Sequence, residues 1–413
     1  MLYAPKVAAA LEAKKASFAQ REHSFVGELE SYRAALRDLG AQYPHATALM
    51  GRLESAREGK GALPLVAAYD ARMAALAPRR PPIIPFDVSF ANHEEARAWA
   101  EQIIAGVTTV AVDGSQIMPW HDASIPVALV QAGIFVNPHA TAQPYIKDVI
   151  VDILGPGDLV PPAEYQDEED ILHLAAEEIV NLRRFELETH TLAQWMREHP
   201  AQDGAPKPVV LLDGSLIVSF ALTMPPQLRA RYIAAVTDLL AASEASQVPL
   251  AAYIDTSHAR DLTTMLGAVF PERALAGTKR LHDALLWGED MGWGDYSLPF
   301  ISARGDVLAD YGAQRGSIAF TYLRAAQDRP PARIEMPRWV AEGPDFPYVI
   351  DVLRAELIAG GGYPYAIETA DAVAVISVED RARFYRMFQQ FAGDMGLELR
   401  FSHKALSKSR RRA

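Results

Sequence analysis

The chain has 413 residues, half of them hydrophobic and 22% charged, which is enough for one large domain with an attached module or for two domains. It contains no cysteine, and this excludes disulfides, a thiolate zinc site and a cysteine nucleophile. A formal net charge of −12 argues against a general nucleic-acid-binding surface.

The N-terminus, MLYAPKVAAALEAKKASFAQ, lacks the long apolar core of a signal peptide. No uncharged apolar run approaches membrane-spanning length, so the expectation is a cytoplasmic protein with no membrane association. Residues 1–76 are rich in Ala, Leu, Glu, Lys and Arg and poor in β-branched residues, which predicts two or three helices packed as a hairpin. APRRPPIIP, 77–85, reads as a stiff linker, because its prolines cannot continue a helix. The expected organisation is therefore an N-terminal helical module with its linker over 1–85, a second domain over 86–400, and a basic tail over 401–413. Glu58–Gly61 is not a phosphate-binding loop: Glu54 stands where the first Gly is needed, and no Ser or Thr follows Lys60.

Asn92 predicts the N-cap of a helix with acids in its first turn. VAVDGSQI, 110–117, then carries an apolar run onto Asp113-Gly114. Val127–Val136 and Tyr145–Leu154 read as the second and third strands of a meander. A long helix is predicted from Glu168 to Glu198, followed by a loop and LLDGSLIV, 211–218, which ends a second apolar run on Asp213-Gly214. Helix, strand (248–255) and helix follow. Trp287–Phe300 reads as an irregular insertion, 317–324 and 332–337 as further strands, and 348–359 as a helix leading to GGGYPYAIETADAVAVI. Three strands before the first long helix exclude a doubly wound sheet, which would alternate from the start.

An Asp-Gly at a strand end can be no more than a turn, with Gly supplying the positive φ. Here acids on two helices bear on that reading. Leu172, Ala175, Ile179, Leu182, Glu186, Thr189, Ala193 and Met196 share one face of the long helix, and Glu186 interrupts it. A charged acid facing a sheet needs a partner, and Arg183 or Arg184 is the structural alternative. Glu188 falls off that stripe and reads as solvated. Ile367, Asp371, Ala374 and Val378 share a second face, where Asp371 replaces an aliphatic residue and is expected to be partly desolvated; Glu368 lies one step off. Four converging carboxylates would raise one another's pKa values, and a divalent cation relieves that. All-oxygen ligands suit Mn²⁺ or Mg²⁺, and two such ions can activate a water and stabilise a leaving oxygen in phosphodiester cleavage.

With these residues in place, the sequence resembles the NurA nuclease family. The VAVDGS strand, RRFELE helix, VVLLDGSL strand and GGYPYAIETAD helix occur in that order, and SIAFTYLR, PARIEMP and SHKALSK extend the resemblance over roughly 105–413. The resemblance implies an α/β, ribonuclease-H-like mixed sheet flanked by helices. It implies an Mn²⁺-dependent deoxyribonuclease that degrades DNA from 5′ ends, with endonuclease activity as an extension. It implies a homodimer that works with a HerA-type hexameric DNA-translocating ATPase in end resection and double-strand break repair. Asp113, Glu186 and Asp213 match the family's acidic positions, and Tyr363 matches its active-site tyrosine. Asp371 falls where archaeal members carry histidine; an acid there remains compatible, because related enzymes use four carboxylates. Asp255 ends another strand and is a candidate supporting group, whereas His258 reads as a surface or hydrogen-bonded residue. For DNA, Trp120 is a candidate base-stacking residue. His403, Lys404, Lys408 and Arg410, with Arg411 and Arg412, form a basic end that reads either as a phosphate-contacting arm or as a solubilising tail. The competing readings are a junction resolvase and a non-catalytic adaptor of the ATPase. An aspartyl phosphatase is disfavoured, because Ala111 stands where its nucleophile belongs.

Overall fold

The computed structural model describes residues 2–56, 59–73, 82–119, 124–160, 169–275, 280–397 and 399. The chain forms two compact units, each built from separate stretches: the first from 1–89, 253–309 and 315–343, the second from 90–252, 310–314 and 344–413. The first stretch supplies α1 (Ala4–Glu12), α2 (Lys15–Gln42), α3 (Ala46–Glu54), β1 (Gly61–Pro64), α4 (Val66–Met73) and β2 (Ile83–Ile84). The chain then lays down α5 (His93–Ile104), β3 (Thr109–Ile117), β4 (Ala128–Asn137), β5 (Ile146–Leu154), α6 (Glu169–Glu198), β6 (Val209–Asp213), α7 (Pro226–Ser246) and β7 (Leu250–Ile254). It continues through α8 (Asp261–Val269), β8 (Tyr296–Ser297), β9 (Phe300–Ala303), β10 (Ile318–Leu323), β11 (Ala332–Pro337) and α9 (Arg338–Glu342). It closes with α10 (Phe346–Ala359), α11 (Tyr365–Ala374) and α12 (Val378–Asp394).

The second unit is built on a mixed sheet in the order β7-β6-β3-β4-β5. β3, β4 and β5 form the expected antiparallel meander, and β6 lies parallel to β3 on its other side. This is the ribonuclease-H-like arrangement expected from the sequence. Val110, Ala111 and Val112 on β3 and Val209–Leu212 on β6 are buried, as fits central strands covered on both faces. Val112 is in register with Leu212, so Asp113 and Asp213 are the next residues on neighbouring parallel strands. Asn92 caps α5 by accepting from the Glu95 N–H at 2.9 Å. On α6, Ile179, Leu182, Thr189, Ala193 and Met196 form the buried stripe that the spacing predicts.

One local expectation changes. The predicted face of Ile367, Asp371, Ala374 and Val378 does not belong to one helix. α11 stops at Ala374, and Ser377 caps a new helix by accepting from the Asp380 N–H. β5 is a strand, but Ile146, Val149, Ile150, Val151 and Ile153 are all exposed.

The first unit has its own core. Tyr32, Leu36 and Leu39 of α2 and Leu49 and Leu53 of α3 pack with Leu262, Met265 and Leu266 of α8 and with Trp287, Phe300, Phe320 and Tyr322. Residues 1–85 are therefore not a free-standing module, because their apolar faces are covered by side chains two hundred or more positions later. Gly61 begins β1; a Cβ there would lie 2.3 Å from the Asp261 carbonyl oxygen, and its φ is +65°. Among the described residues, no helix is long and apolar enough to cross a membrane.

Candidate active site

Asp113 stands at mid-strand on β3, directly opposite Gly133 of β4. A Cβ on Gly133 would lie 2.6 Å from the Ala374 amide nitrogen and 2.9 Å from the Ala370 carbonyl oxygen. α11 thus rests on the strand backbone itself, which is possible only because position 133 has no side chain. That approach sets Asp371 beside Asp113. Burial is the largest influence on Asp113 and, with Asp371 and Asp213 nearby, pushes its pKa up to about 6 against the pull of the Gly114 N–H.

Both ends of α11 are tied down. The Ala366 N–H donates to the Glu356 carboxylate at 2.7 Å, and the Gln131 side-chain amide donates to the Ala374 carbonyl at 2.8 Å. Glu356 is fully buried, and burial pushes its carboxyl pKa upward. Before α11, Gly361 and Gly362 take φ values of +67° and +114°, a turn that favours glycine. The turn delivers Tyr363, whose hydroxyl donates to Asp213 Oδ1 at 3.0 Å. Three of the predicted residues, Asp113, Asp213 and Asp371, therefore interact at one end of the sheet, with Tyr363 on Asp213.

Successive strand residues point to opposite faces, so Gly114 faces away from Asp113. A Cβ at Gly114 would lie 2.1 Å from Glu188 Oε1 and 2.7 Å from Arg184 Cγ. Glu188 occupies the space that a side chain would need. It is only 6% exposed, contrary to the expectation that it is solvated. Burial pushes its pKa up to about 7; Arg184 pulls against this, and Asp113 and Asp213 push with it. Arg184 Nη1 donates to Glu188 Oε1 at 2.7 Å.

Glu186 is placed elsewhere. Arg231 of α7 grips both its oxygens, at 2.8 and 2.7 Å, and Arg183 adds a third contact at 3.2 Å. Arg183 also reaches Asp152 at 2.6 Å. The structure therefore gives Glu186 an ion-pair network and leaves it out of the Asp113 cluster. Glu188 is the acid of α6 that lies against β3 behind the cluster, near enough to feel Asp113 and Asp213.

The profile of the NurA domain matches residues 107–376. The chain belongs to the NurA family. A comparison with curated proteins finds no match. Among solved structures, a NurA crystal structure is 10% identical, with 68% of this chain and 88% of that chain covered and a TM-score of 0.42. A NurA bound to dAMP and manganese is 10% identical, with 66% and 85% covered and a TM-score of 0.34. The catalytic domain of human Endonuclease V is 14% identical, with 77% and 93% covered and a TM-score of 0.30. At TM-scores this low, the fold assignment rests on strand order and family membership.

The NurA-domain match ends just past α11, so it contains every residue of the carboxylate cluster. Asp371 itself is exposed rather than partly desolvated, as is Asp213. As placed, no three His, Asp or Glu side chains among the described residues converge closely enough to hold one ion. Glu188 approaches β3 from the face opposite Asp113 and is held there by Arg184. Asp255 belongs to the first unit and pairs with Arg329 at 3.6 Å. Glu335 is buried there beside Arg333, and the His258 ring lies against that of His282. Trp120, His403, Lys404, Lys408 and Arg410–Arg412 lie outside the described residues. Sequence periodicity could not have found Glu188, because its role depends on the missing side chain at Gly114, seventy-four positions earlier.

Proposed function

We propose that this chain is a metal-dependent deoxyribonuclease whose reaction centre is Asp113, Asp213, Asp371 and Glu188. The observation that carries this reading is the gathering of Asp213 and Asp371 around the half-buried Asp113, where burial and the neighbouring acids raise the cost of ionising it, with Glu188 close enough to feel Asp113 and Asp213. Carboxylates gathered in this way are a site where a cation relieves their mutual repulsion. All four donors are carboxylate oxygens, a set matched to Mn²⁺ or Mg²⁺. Asp113, Asp213 and Asp371 would hold the ion once their side chains turn towards it, with Glu188 as a further carboxylate close by. When bound, such ions supply a water acidic enough to deprotonate near neutral pH and a counter-charge for the leaving oxygen.

The chain's own groups do the positioning. Tyr363 donates to Asp213 and fixes the direction of its other oxygen. Glu356 and Gln131 hold the two ends of α11, and so the place of Asp371. Arg184, once parted from Glu188, presents a guanidinium to a phosphodiester, the anion it pairs with best.

Further parts of the reading come from family membership. They are 5′-to-3′ degradation, two ions, a homodimer, and work beside a HerA-type hexameric translocase in end resection and break repair. The exposed apolar residues of β5, and Met387 and Phe391 of α12 with Met395 just after it, supply surface for such assembly. Linear DNA labelled at either end, incubated with Mn²⁺, Mg²⁺ or EDTA, tests the proposal. Label release from the 5′ end with Mn²⁺, and none with EDTA, is expected. Full activity in EDTA overturns the metal site. No cleavage with any ion, together with binding to the ATPase, makes the chain an adaptor.

A further inference from the structure

Asp113, Gly133 and Val149 are cross-strand neighbours and share one face of the sheet. Phe135 lies two residues beyond Gly133 and opposite Lys147, so both are on that face too, about 7 Å along the strands. Phe135 is buried, and its cover is aromatic. Tyr145 lies 5.9 Å from its ring centre and Tyr365 lies 5.8 Å away, edge-on at 82°. The Lys147 ammonium sits 5.7 Å from the Phe135 ring and 5.3 Å from the Tyr145 ring. Tyr365 opens α11, the helix that carries Asp371 six residues later, about 9 Å along its axis. The cluster therefore adjoins the carboxylates through two separate elements.

Its outer members are open to solvent. Tyr145 is 61% exposed and Tyr365 38% exposed, and Lys147 is exposed as well. Tyr145 leaves more of its surface in solvent than covering Phe135 requires. Two rings braced on a buried third offer an apolar surface, with an exposed cation beside it.

We propose that Tyr145, Tyr365 and Lys147 form a stacking subsite for an unpaired nucleotide of single-stranded DNA next to the one being cleaved. This rests on the nuclease reading above. Aromatic rings stack on any base, so the subsite is tolerant of sequence. The ammonium now held over the rings by a cation–π contact can turn to the neighbouring phosphate at little cost, because its side chain is solvated. A duplex keeps its base faces covered, so the subsite favours a single strand over a duplex.

The test uses the full chain in EDTA, where cleavage is blocked, with fluorescence anisotropy on single-stranded oligonucleotides. One set carries an abasic position moved stepwise along the strand. Wild type should lose about tenfold in affinity when the abasic position meets the rings, the order of one stacked base. Tyr145→Ala should lose about tenfold on intact DNA and nothing further on that abasic strand, while Tyr145→Phe and the duplex affinity stay near wild type. Lys147→Gln should weaken the intact and abasic strands alike. If the Tyr145→Ala and abasic losses multiply at every position, or Tyr145→Ala binds intact DNA as wild type does, the subsite is refuted. Cleavage assays on the same proteins keep the two readings apart. Coupled losses without cleavage in any metal would sink the nuclease reading alone, and cleavage with independent losses would sink the subsite alone.

Discussion

Glu186 and Glu188 are separated by one residue on α6 and serve different partners: Glu186 is clasped by Arg231, and Glu188 fills the space left by Gly114 beside Arg184. Two positions along a helix turn a side chain by more than half a revolution, so one acid belongs to the interface with α7 and the other to the strand.

This relationship yields the sharpest mutational contrast. Glu188→Gln should lower cleavage by at least about a hundredfold, roughly 2.7 kcal/mol of barrier, with little change in unfolding. Glu186→Gln should leave cleavage within a few-fold and cost about 1–3 kcal/mol of stability, because it loosens a buried, charge-assisted contact. Cleavage rates and denaturant midpoints on the two variants check this, and the reverse pattern returns the catalytic role to Glu186.

Asp113→Asn and Asp213→Asn are nearly isosteric and should each remove at least about a hundredfold of activity. Circular dichroism should remain that of the wild type. A near-normal rate in either variant rules out the carboxylate site.

The raised pKa values predict how pH and metal act together. Unfolded, Asp and Glu ionise near pH 4. Folded, Asp113 is pushed up to about 6 and Glu188 to about 7. Below about pH 4 both states are protonated, and these groups add nothing. From there up to about pH 7 the unfolded chain releases protons that the folded one keeps, so their contribution to stability falls, and above pH 7 the full penalty persists. In EDTA the wild-type melting temperature should therefore fall, over this window, relative to that of an Asp113→Asn, Glu188→Gln double variant. Mn²⁺ should stabilise wild type more at pH 8 than at pH 6, and binding near pH 6 should release protons measurable by calorimetry in buffers of different ionisation heat. Equal Mn²⁺ stabilisation at both pH values would contradict the assignment.

Gly133→Ala and Gly114→Ala should separate backbone crowding from side-chain crowding. At 133 the new methyl meets the backbone of α11, so overpacking costs about 1–3 kcal/mol and moves Asp371. At 114 it meets the flexible ends of Glu188 and Arg184, so activity should fall by at least tenfold or so with a smaller loss of stability. Thermal melts and single-turnover cleavage of the two variants give the comparison.

Much of this was legible in the sequence. The meander, the long helix and the second Asp-Gly strand follow from apolar runs and turn residues, while the parallel pairing of β3 with β6 is what sets Asp113 beside Asp213. Tyr363 was found through family resemblance, and the structure joins it to Asp213. What escaped was set at long range. The acid of α6 nearest the cluster is decided by a glycine on β3, and the end of α11 is decided by Ser377 capping the next helix. The N-terminal helices read as an independent module because their composition is self-consistent, yet their core partners lie beyond residue 260.

That last arrangement governs the order in which the protein can be made. The hydrogen bond from Arg33 to the Leu285 carbonyl joins residues 252 apart, and the Arg273–Asp38 pair joins residues 235 apart. At roughly 5–20 residues per second on a ribosome, the first helices emerge and wait on the order of tens of seconds for the strands that cover them. The second unit waits longer, because α10 and α11 come after all of its sheet strands. Tyr363 and Asp371 are thus among the last groups of the cluster to leave the ribosome, and a nascent or prematurely terminated chain carries only part of the carboxylate site. The carboxylate cluster is therefore complete only once α11 has left the ribosome.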